Sequence, residues 1–404
     1  MVSATAASVK GEYIMTKSNK TGIDMSSYLE KAPLHEKIED LQSLSEIEKK
    51  LLYMAGVDVD SRERLGSFLQ KDHSVVHCQV GSEGAEILST TDALVKYDGL
   101  DDYWWKAVKP GKDQFTKRAD EHREHGYFIR SFKGADIDYP LQACMYMSED
   151  NLVQDVHNIV IAEEDSRLNI ISGCATGPHV KSGLHVGITE FYVKKGATLI
   201  FTMVHNWAED MAVRPRSAAI VEEGGTFISN YICLKPARDL QMYPTAVLEG
   251  KNSVATFNSI LMASPGSVLD VGSRAILKGE GARAEIVSRA VSTGGDIIAR
   301  GHLLGETPGI KAHLECQGLL LKPKGLIHAI PELEARTADV EMSHEAAVGK
   351  IDQAEIEYLM ARGLSEDAAT SLIVKGFLSL DIPGLPEDLK KELNDMVEKT
   401  GNAM

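Results

Sequence analysis

The run GATLIF at 196–201 decides the fold, because it is one member of a series. A turn residue followed by a short strand recurs: Arg167 before LNII, Gly196 before ATLIF, Gly225 before TFIS, Asn252 before SVATF, Gly281 before ARAEI and Gly309 before IKAHL. By subtraction, the successive intervals are 29, 29, 27, 29 and 28 residues. The repeats share little beyond a turn and then a strand. A near-constant period with such degenerate content fits a parallel β-solenoid, in which each coil is one rung. A β-sandwich of evenly spaced hairpins is the competing architecture. Its turns come every ~8–12 residues, and inner turns at Gly183 and Gly266 keep it in view.

Outward from this region the pattern changes on both sides. Before about Tyr127 the chain reads as a small α+β unit over 24–126. Ser45-x-x-Glu48 is a capping box, Ile47, Leu51 and Met54 mark one helical face, and Gly56 is placed to stop it. Asp60–Gln70 reads as a second short helix, and His73–Ser89 shifts to strand-type usage. Residues 1–23 lack the apolar run of a secretory signal and read as a disordered leader. After Gly349 the period becomes helical. Asp352 caps a stripe of Ile356, Leu359 and Met360, and Gly363 stops it. Ser365 caps a second helix carrying Ala369, Leu372, Ile373 and Phe377, and Pro386 opens a third. The expected fold is mainly β: a parallel β-helix over 127–337, flanked by the N-terminal α+β region and a C-terminal helical segment over 338–404.

Charge narrows the function. The 43 Lys+Arg against 59 Asp+Glu give a net charge of −16, which argues against binding nucleic acid. No apolar run is long enough for a membrane-spanning helix. The five cysteines are odd in number and widely spaced, which is not a disulfide framework and suits a reducing cytoplasm. The chain has no P-loop, no G-x-S-x-G elbow, no H-E-x-x-H and no C-x-x-C.

The repeat places the remaining chemistry. Cys174 falls seven residues after its turn residue, Cys233 eight, Cys316 seven and His205 nine, so these residues recur at nearly one place in different rungs. Rungs are ~4.8 Å apart, so Cys174 and Cys316, five rungs apart, are separated by roughly 24 Å along the axis. They cannot share one metal centre; they act as stations on a path or at an interface. The bland reading is that small buried cysteines suit solenoid rungs, and for Cys78 and Cys144 it stands. Cys316 departs from it most, because His313 and Glu315 lie beside it and His344 and Glu345 lie about one rung later. Thiolate, imidazole and carboxylate are ligands that iron or an iron–sulfur centre takes. For His344 and Glu345 an exposed polar pair at a domain boundary is an equal reading. His179 and His185 flank a Gly-rich turn and read as solvated, as do His122 and His125; Trp207 reads as rung packing.

The motifs SGCATGP (172–178), GLHVGITEFYV (183–193), TMVHNW (202–207) and SHEAAVGKIDQAEIEYLMARGLSEDAATSLIVKGF (343–377) resemble the SufB/SufD family of iron–sulfur cluster assembly scaffolds. The resemblance implies a right-handed parallel β-helix that pairs with a second such chain through the β-helix. It also implies a C-terminal segment that binds SufC, an ABC-type ATPase, here through Asp352, Ile356, Leu359, Met360, Leu372 and Phe377. Carried over residue by residue, Cys174 matches the cysteine where sulfur enters, and Cys316 the distal cysteine linked to the cluster. His344 and Glu345 match the family's His-Glu ligand pair. Cys233, His205 and His313 are further candidates with no firm counterpart. Ser343 stands where SufB usually has Glu, and no Cys stands near Met342 where SufD has one. The resemblance is therefore to the SufB-like component of a short system working as a homodimer. Its partners would be the ATPase, a sulfur donor such as a cysteine desulfurase or sulfide, and apo-protein recipients, and its cargo a transient iron–sulfur cluster. Two other readings are an adaptor that stabilises the ATPase without binding a cluster, and a β-helix carbohydrate-active protein. The lack of a signal peptide and the helical tail count against the second.

Overall fold

The computed structural model describes residues 22–60, 64–80, 84–122, 125–137, 139–235, 237–378 and Lys391. Of the leader expected over 1–23, residues 1–21 lie outside the described residues, whereas Ile23 packs against the cluster under Gln114–Glu121. The helix expected from Pro386 lies outside them except for Lys391.

Parallel pairing at intervals of about one coil builds two long sheets, each with an antiparallel strand at its first edge (Ser74–Val80 and Ala85–Ser89), and the solenoid makes about eight turns. The first sheet runs, in order of pairing, through Ser74–Val80, Gly66–Lys71, Leu141–Met147, Arg167–Thr176, Thr198–Asn206, Thr226–Lys235, Val254–Ala263, Arg283–Ser292, Ile310–Leu320 and Val340–Gly349. The second runs through Ala85–Ser89, Tyr127–Ser131, Leu152–Ala162 and Ser182–Val193, then the short pairs Asp210–Val213/Arg216–Val221 and Asp239–Met242/Thr245–Leu248. It continues through Val268–Leu277 and Asp296–Gly305 to Leu326–Ala335. The parallel ladders decide against the sandwich.

The periodic turn residues have a physical role. The corners have positive φ, between 56° and 76°, at Gly196, Asn252, Gly281 and Gly309 as read from the sequence, but at Asp165 and Gly224 in place of Arg167 and Gly225. Each N–H donates to a carbonyl one coil on: Asp165 to Lys195, Gly196 to Glu223, Gly224 to Lys251, Asn252 to Glu280, Gly281 to Pro308 and Gly309 to Asp339. The column needs the left-handed conformation at each corner, which Gly, Asn and Asp adopt most readily. That requirement, repeated once per coil, is the period seen in the sequence.

The core fills the lumen. Leu168, Leu199 and Phe227 form one column of the first sheet and Phe257, Ile286 and Leu314 the next, with Phe227 and Phe257 edge to face. Phe191, Val221, Leu269 and Ile297 of the second sheet lie in the same core. The outer faces are covered by the flanking segments. Helix α1 (Glu46–Met54), with the Ser45/Glu48 capping box and Gly56 at φ 86°, presses Leu52, Ala55 and Val57 onto Cys144, Tyr146 and Ala175. Helices α2 (Thr90–Lys96) and α3 (Gln114–Glu121) lie over the second sheet. Helices α4 (Gln353–Met360) and α5 (Glu366–Leu378) fold back onto the first sheet, where Ile356, Ala369, Val374 and Leu378 cover Val204, Ile232, Ile260, Met262 and Val291.

Two expectations need correction. Gly66–Lys71 is a strand, parallel to Leu141–Met147, and not part of a helix over 60–70. Leu65, Phe68 and Leu69 mimic a helical stripe, but pairing along the solenoid overrides it. At the other end, Val340–Gly349 pairs in parallel with Ile310–Leu320, so the ladder runs past the 337/338 boundary into the stretch read as the start of the helical segment.

Candidate functional site

Among the described residues, nothing covers the last coil of the solenoid. Leu326–Ala335 and Val340–Gly349 each pair on one side only among the described residues, so both present an open edge. Leu314 and Cys316 point into the core, and their ladder partners are His344 and Ala346. Side chains alternate along a strand. Val340, Met342, His344, Ala346 and Val348 therefore face the lumen. With no further coil above them among the described residues, His344, Ala346 and Val348 are exposed, as is Leu333 on the neighbouring edge.

Cys316 and His344 thus share one face on adjacent rungs, offset by two residues, a diagonal of roughly 7–8 Å between Cα atoms. Cys316 is 1% exposed. Burial and the neighbouring Glu315 carboxylate push its thiol up to about 11. Glu345 is on the opposite face, beside Glu315, which is ion-paired to Arg289 at 2.8 Å. His313 also faces outward, with Nδ1 2.9 Å from Ser343 Oγ. The structure therefore brings together Cys316 and His344, and separates Glu345 and His313 from them within one chain.

Cys174 lies five strands away along the same sheet, inward-facing and buried, and burial pushes its thiol far above the ordinary range. Its ladder partner is His205. The register shifts between Ile232 and Lys235, which leaves Cys233 at a bulge opposite His205. Tyr231 Oη is 2.8 Å from His205 Nδ1 and within hydrogen-bonding reach of the Cys233 thiol. Burial pushes Cys233 up to about 11. His205 Nε2 is buried with no partner among the described residues. So Cys174, His205 and Cys233 form one column. Cys316 stands two positions earlier, in the column of Tyr231, Ser259 and Ser288. Between the two ends is a cavity of about 30 Å³, lined by Met203, Tyr231, Phe257, Ser259 and Ser273. It has room for one or two waters.

Tyr231 and His185 escape the sequence reading. His185, expected in a solvated turn, points inward, with Nδ1 3.0 Å from Gln154 Oε1. Its ring lies 4.9 Å from that of Trp207, which also lies 5.8 Å from His205. Burial lowers both His185 and His205 to about 3, so both imidazoles are neutral at physiological pH. The signal for His185 is alternation: it shares parity with Phe191 and Val193, which form the core.

The helical residues divide as well. Asp352 caps α4 by accepting from the Ala354 N–H. Ile356 is buried, Leu359 and Phe377 pack partly on the solenoid, and the Arg289 guanidinium lies 5.8 Å from the Phe377 ring centroid. Met360 and Leu372 face outward with Tyr358 and Leu364, leaving an apolar surface.

Comparison with known proteins agrees with this architecture. Residues 145–377 match the family model described as SUF system FeS cluster assembly, SufBD core domain. An iron–sulfur cluster assembly SufBD family protein of Archaeoglobus fulgidus is 52% identical over 352 residues, which is 87% of this chain and 95% of that protein. A second, from Methanothermobacter thermautotrophicus, is 49% identical over 388 residues, covering 95% of each chain. The iron–sulfur cluster assembly protein SufB of Bacillus subtilis is 27% identical over 364 residues, 89% of this chain and 76% of that protein. The chain belongs to the SufB/SufD family and has a role in iron–sulfur cluster assembly.

Proposed function

We propose that this chain is the scaffold on which a cluster is built, as a homodimer joined through its last coil, with an ABC-type ATPase on α4 and α5. One observation supports the reading: Cys316 and His344 share the lumenal face on adjacent rungs, and His344 belongs to the last coil, whose two strands have open edges among the described residues. Open edges are templates for pairing with another chain. A second copy related by a two-fold axis would pair with them, cover Leu333 and Val348, and bring two sets of thiol and imidazole together. Such a set suits iron and sulfide. Glu345 faces outward, so it joins as a ligand only when the last strand turns.

Sulfur enters at Cys174 and moves through the lumen by way of His205, Tyr231 and Cys233, the groups that line the route. The donor is a cysteine desulfurase or sulfide, and apo-proteins receive the cluster. The exposed Tyr358, Met360, Leu364 and Leu372 form the surface on which the ATPase docks. ATP hydrolysis belongs to that partner, and the assembly works in the cytoplasm. No helix among the described residues is long and apolar enough to cross a membrane.

The test is anaerobic reconstitution with ferrous iron and sulfide, followed by absorption spectroscopy. Wild type should develop cluster bands, and Cys316→Ser and His344→Ala should lose most of them. An unchanged spectrum in Cys316→Ser removes the proposed ligand and with it this reading of the site.

A further inference from the structure

A second group of metal-ligating side chains lies at the other end of the molecule, on the outer face of the first complete coil. His73 sits at the tip of the hairpin between Gly66–Lys71 and Ser74–Val80. His125 lies in the connection from α3 to Tyr127–Ser131, and Asp155 on Leu152–Ala162. One ligating atom from each of the three lies within 4.8 Å of the others. From the sequence, His125 reads as solvated and His73 as the start of a strand-type stretch. In the structure their rings stack, with centroids 4.8 Å apart and planes 12° from parallel.

The surroundings fit a ligand set. His73 Nε2 lies 3.0 Å from Val153 O. A carbonyl only accepts, so Nε2 carries the proton and Nδ1 keeps the lone pair a metal takes, the arrangement typical of ligating histidines. Asp155 is 1% exposed and is held by His122 Nδ1 at 2.9 Å and Arg118 Nε at 3.5 Å. The backbone around the site is fixed. Asp72 accepts from the Ser148 and Glu149 N–H groups next to the hairpin tip, and His125 O accepts from the His157 N–H. A tetrahedral ion with bonds of ~2.0–2.1 Å needs its donors about 3.3 Å apart. Side-chain rotation therefore has at most ~1.5 Å to close, by that same geometry. The Arg118 guanidinium competes for Asp155 and tempers the affinity.

We infer that His73, His125 and Asp155 form a binding site for a divalent transition ion of the zinc or ferrous class, with water as the fourth ligand. A His₂-carboxylate set suits such ions. The bound ion would staple the hairpin and the post-α3 connection to the solenoid, separately from Cys316 and His344.

Zinc is the probe. Full-length protein is stripped with chelator and titrated with Zn²⁺ against a chromophoric competitor, alongside His73→Gln, His125→Gln and Cys316→Ser/His344→Gln. Each of the two single variants should weaken one binding event at least tenfold and abolish the zinc-induced rise in melting temperature, whereas the double variant at the other end should keep both. Independently of any variant, zinc should protect His73 and His125 of the wild type from diethyl pyrocarbonate, read by mass spectrometry. Equal modification with and without zinc, or unchanged titrations in both histidine variants, overturns the site and leaves Asp155 a structural partner of Arg118 and His122.

Discussion

Gly173, which precedes Cys174, shows how the structure assigns a residue to packing rather than chemistry. A Cβ added there would lie 2.3 Å from Ala55 O and 3.1 Å from Ala55 C, both backbone atoms at the end of α1. Backbone cannot rotate away, so Gly173→Ala must push the helix end off the sheet. Overpacking of this kind costs about 1–3 kcal/mol. The ceiling is set by undocking Leu52, Val57 and Val59, worth roughly 1.5–3 kcal/mol each, so a local shift is the cheaper response. The residue uncovered is Cys144, the ladder partner of Gly173, fully buried under α1. The assay pairs urea denaturation with thiol labelling read by peptide mass spectrometry. We expect a loss of about 1–3 kcal/mol, faster labelling of Cys144, and unchanged, slow labelling of Cys174 on the opposite face. Unchanged Cys144 labelling, or Cys144 and Cys174 rising together, would refute the assignment of this glycine to the α1 contact.

Further outcomes are expected elsewhere. Because burial holds His185 and His205 at about 3 in the native state, the unfolded chain, with histidines near ~6.5, binds protons that the native chain does not. Their contribution is therefore fully present above pH ~6.5 and is lost as the pH falls below it, by about 1.4 kcal/mol per unit for each histidine. Urea midpoints between about pH 7 and pH 5 should fall, less steeply in His205→Asn; a slope unchanged in that variant contradicts a buried neutral His205. Val348→Asp combined with Leu333→Asp places charge on the open last coil and should shift the protein toward monomer in light scattering. An undiminished dimer would put the interface elsewhere. Met360→Asp with Leu372→Asp alters only outward-facing residues of α4 and α5, so co-purification of the ATPase should fall while the melting temperature holds; retained binding removes that surface as the dock.

Much of the solenoid was legible because each coil needs a left-handed corner, and Gly196, Asn252, Gly281 and Gly309 advertise it. The caps at Ser45 and Asp352 were legible for a similar reason, since orphan N–H groups select particular side chains. The last strand was not, because its exposed, polar residues carry no core pattern; only the ladder with Ile310–Leu320 identifies it. Reading 338–349 as the start of the helical segment also hid that His344 and Glu345, being consecutive on a strand, face opposite ways. The distance from Cys174 to Cys316 was legible from the period alone, and the five-strand separation agrees with it. The inward turn of His185 had a local signal in strand alternation, but its contact with Gln154, that of Tyr231 with His205 and the stacking of His73 on His125 join segments apart in sequence and have none.

The central claim is that Cys316 and, one rung on in the last coil, His344 hold an iron–sulfur cargo. Its most direct test is the iron and acid-labile sulfide content of protein co-expressed with its ATPase and purified without oxygen. The account predicts both elements in the wild type, in comparable amounts, and their loss together in Cys316→Ser. Wild-type protein that carries neither, while still binding the ATPase, would contradict it and make the chain an adaptor.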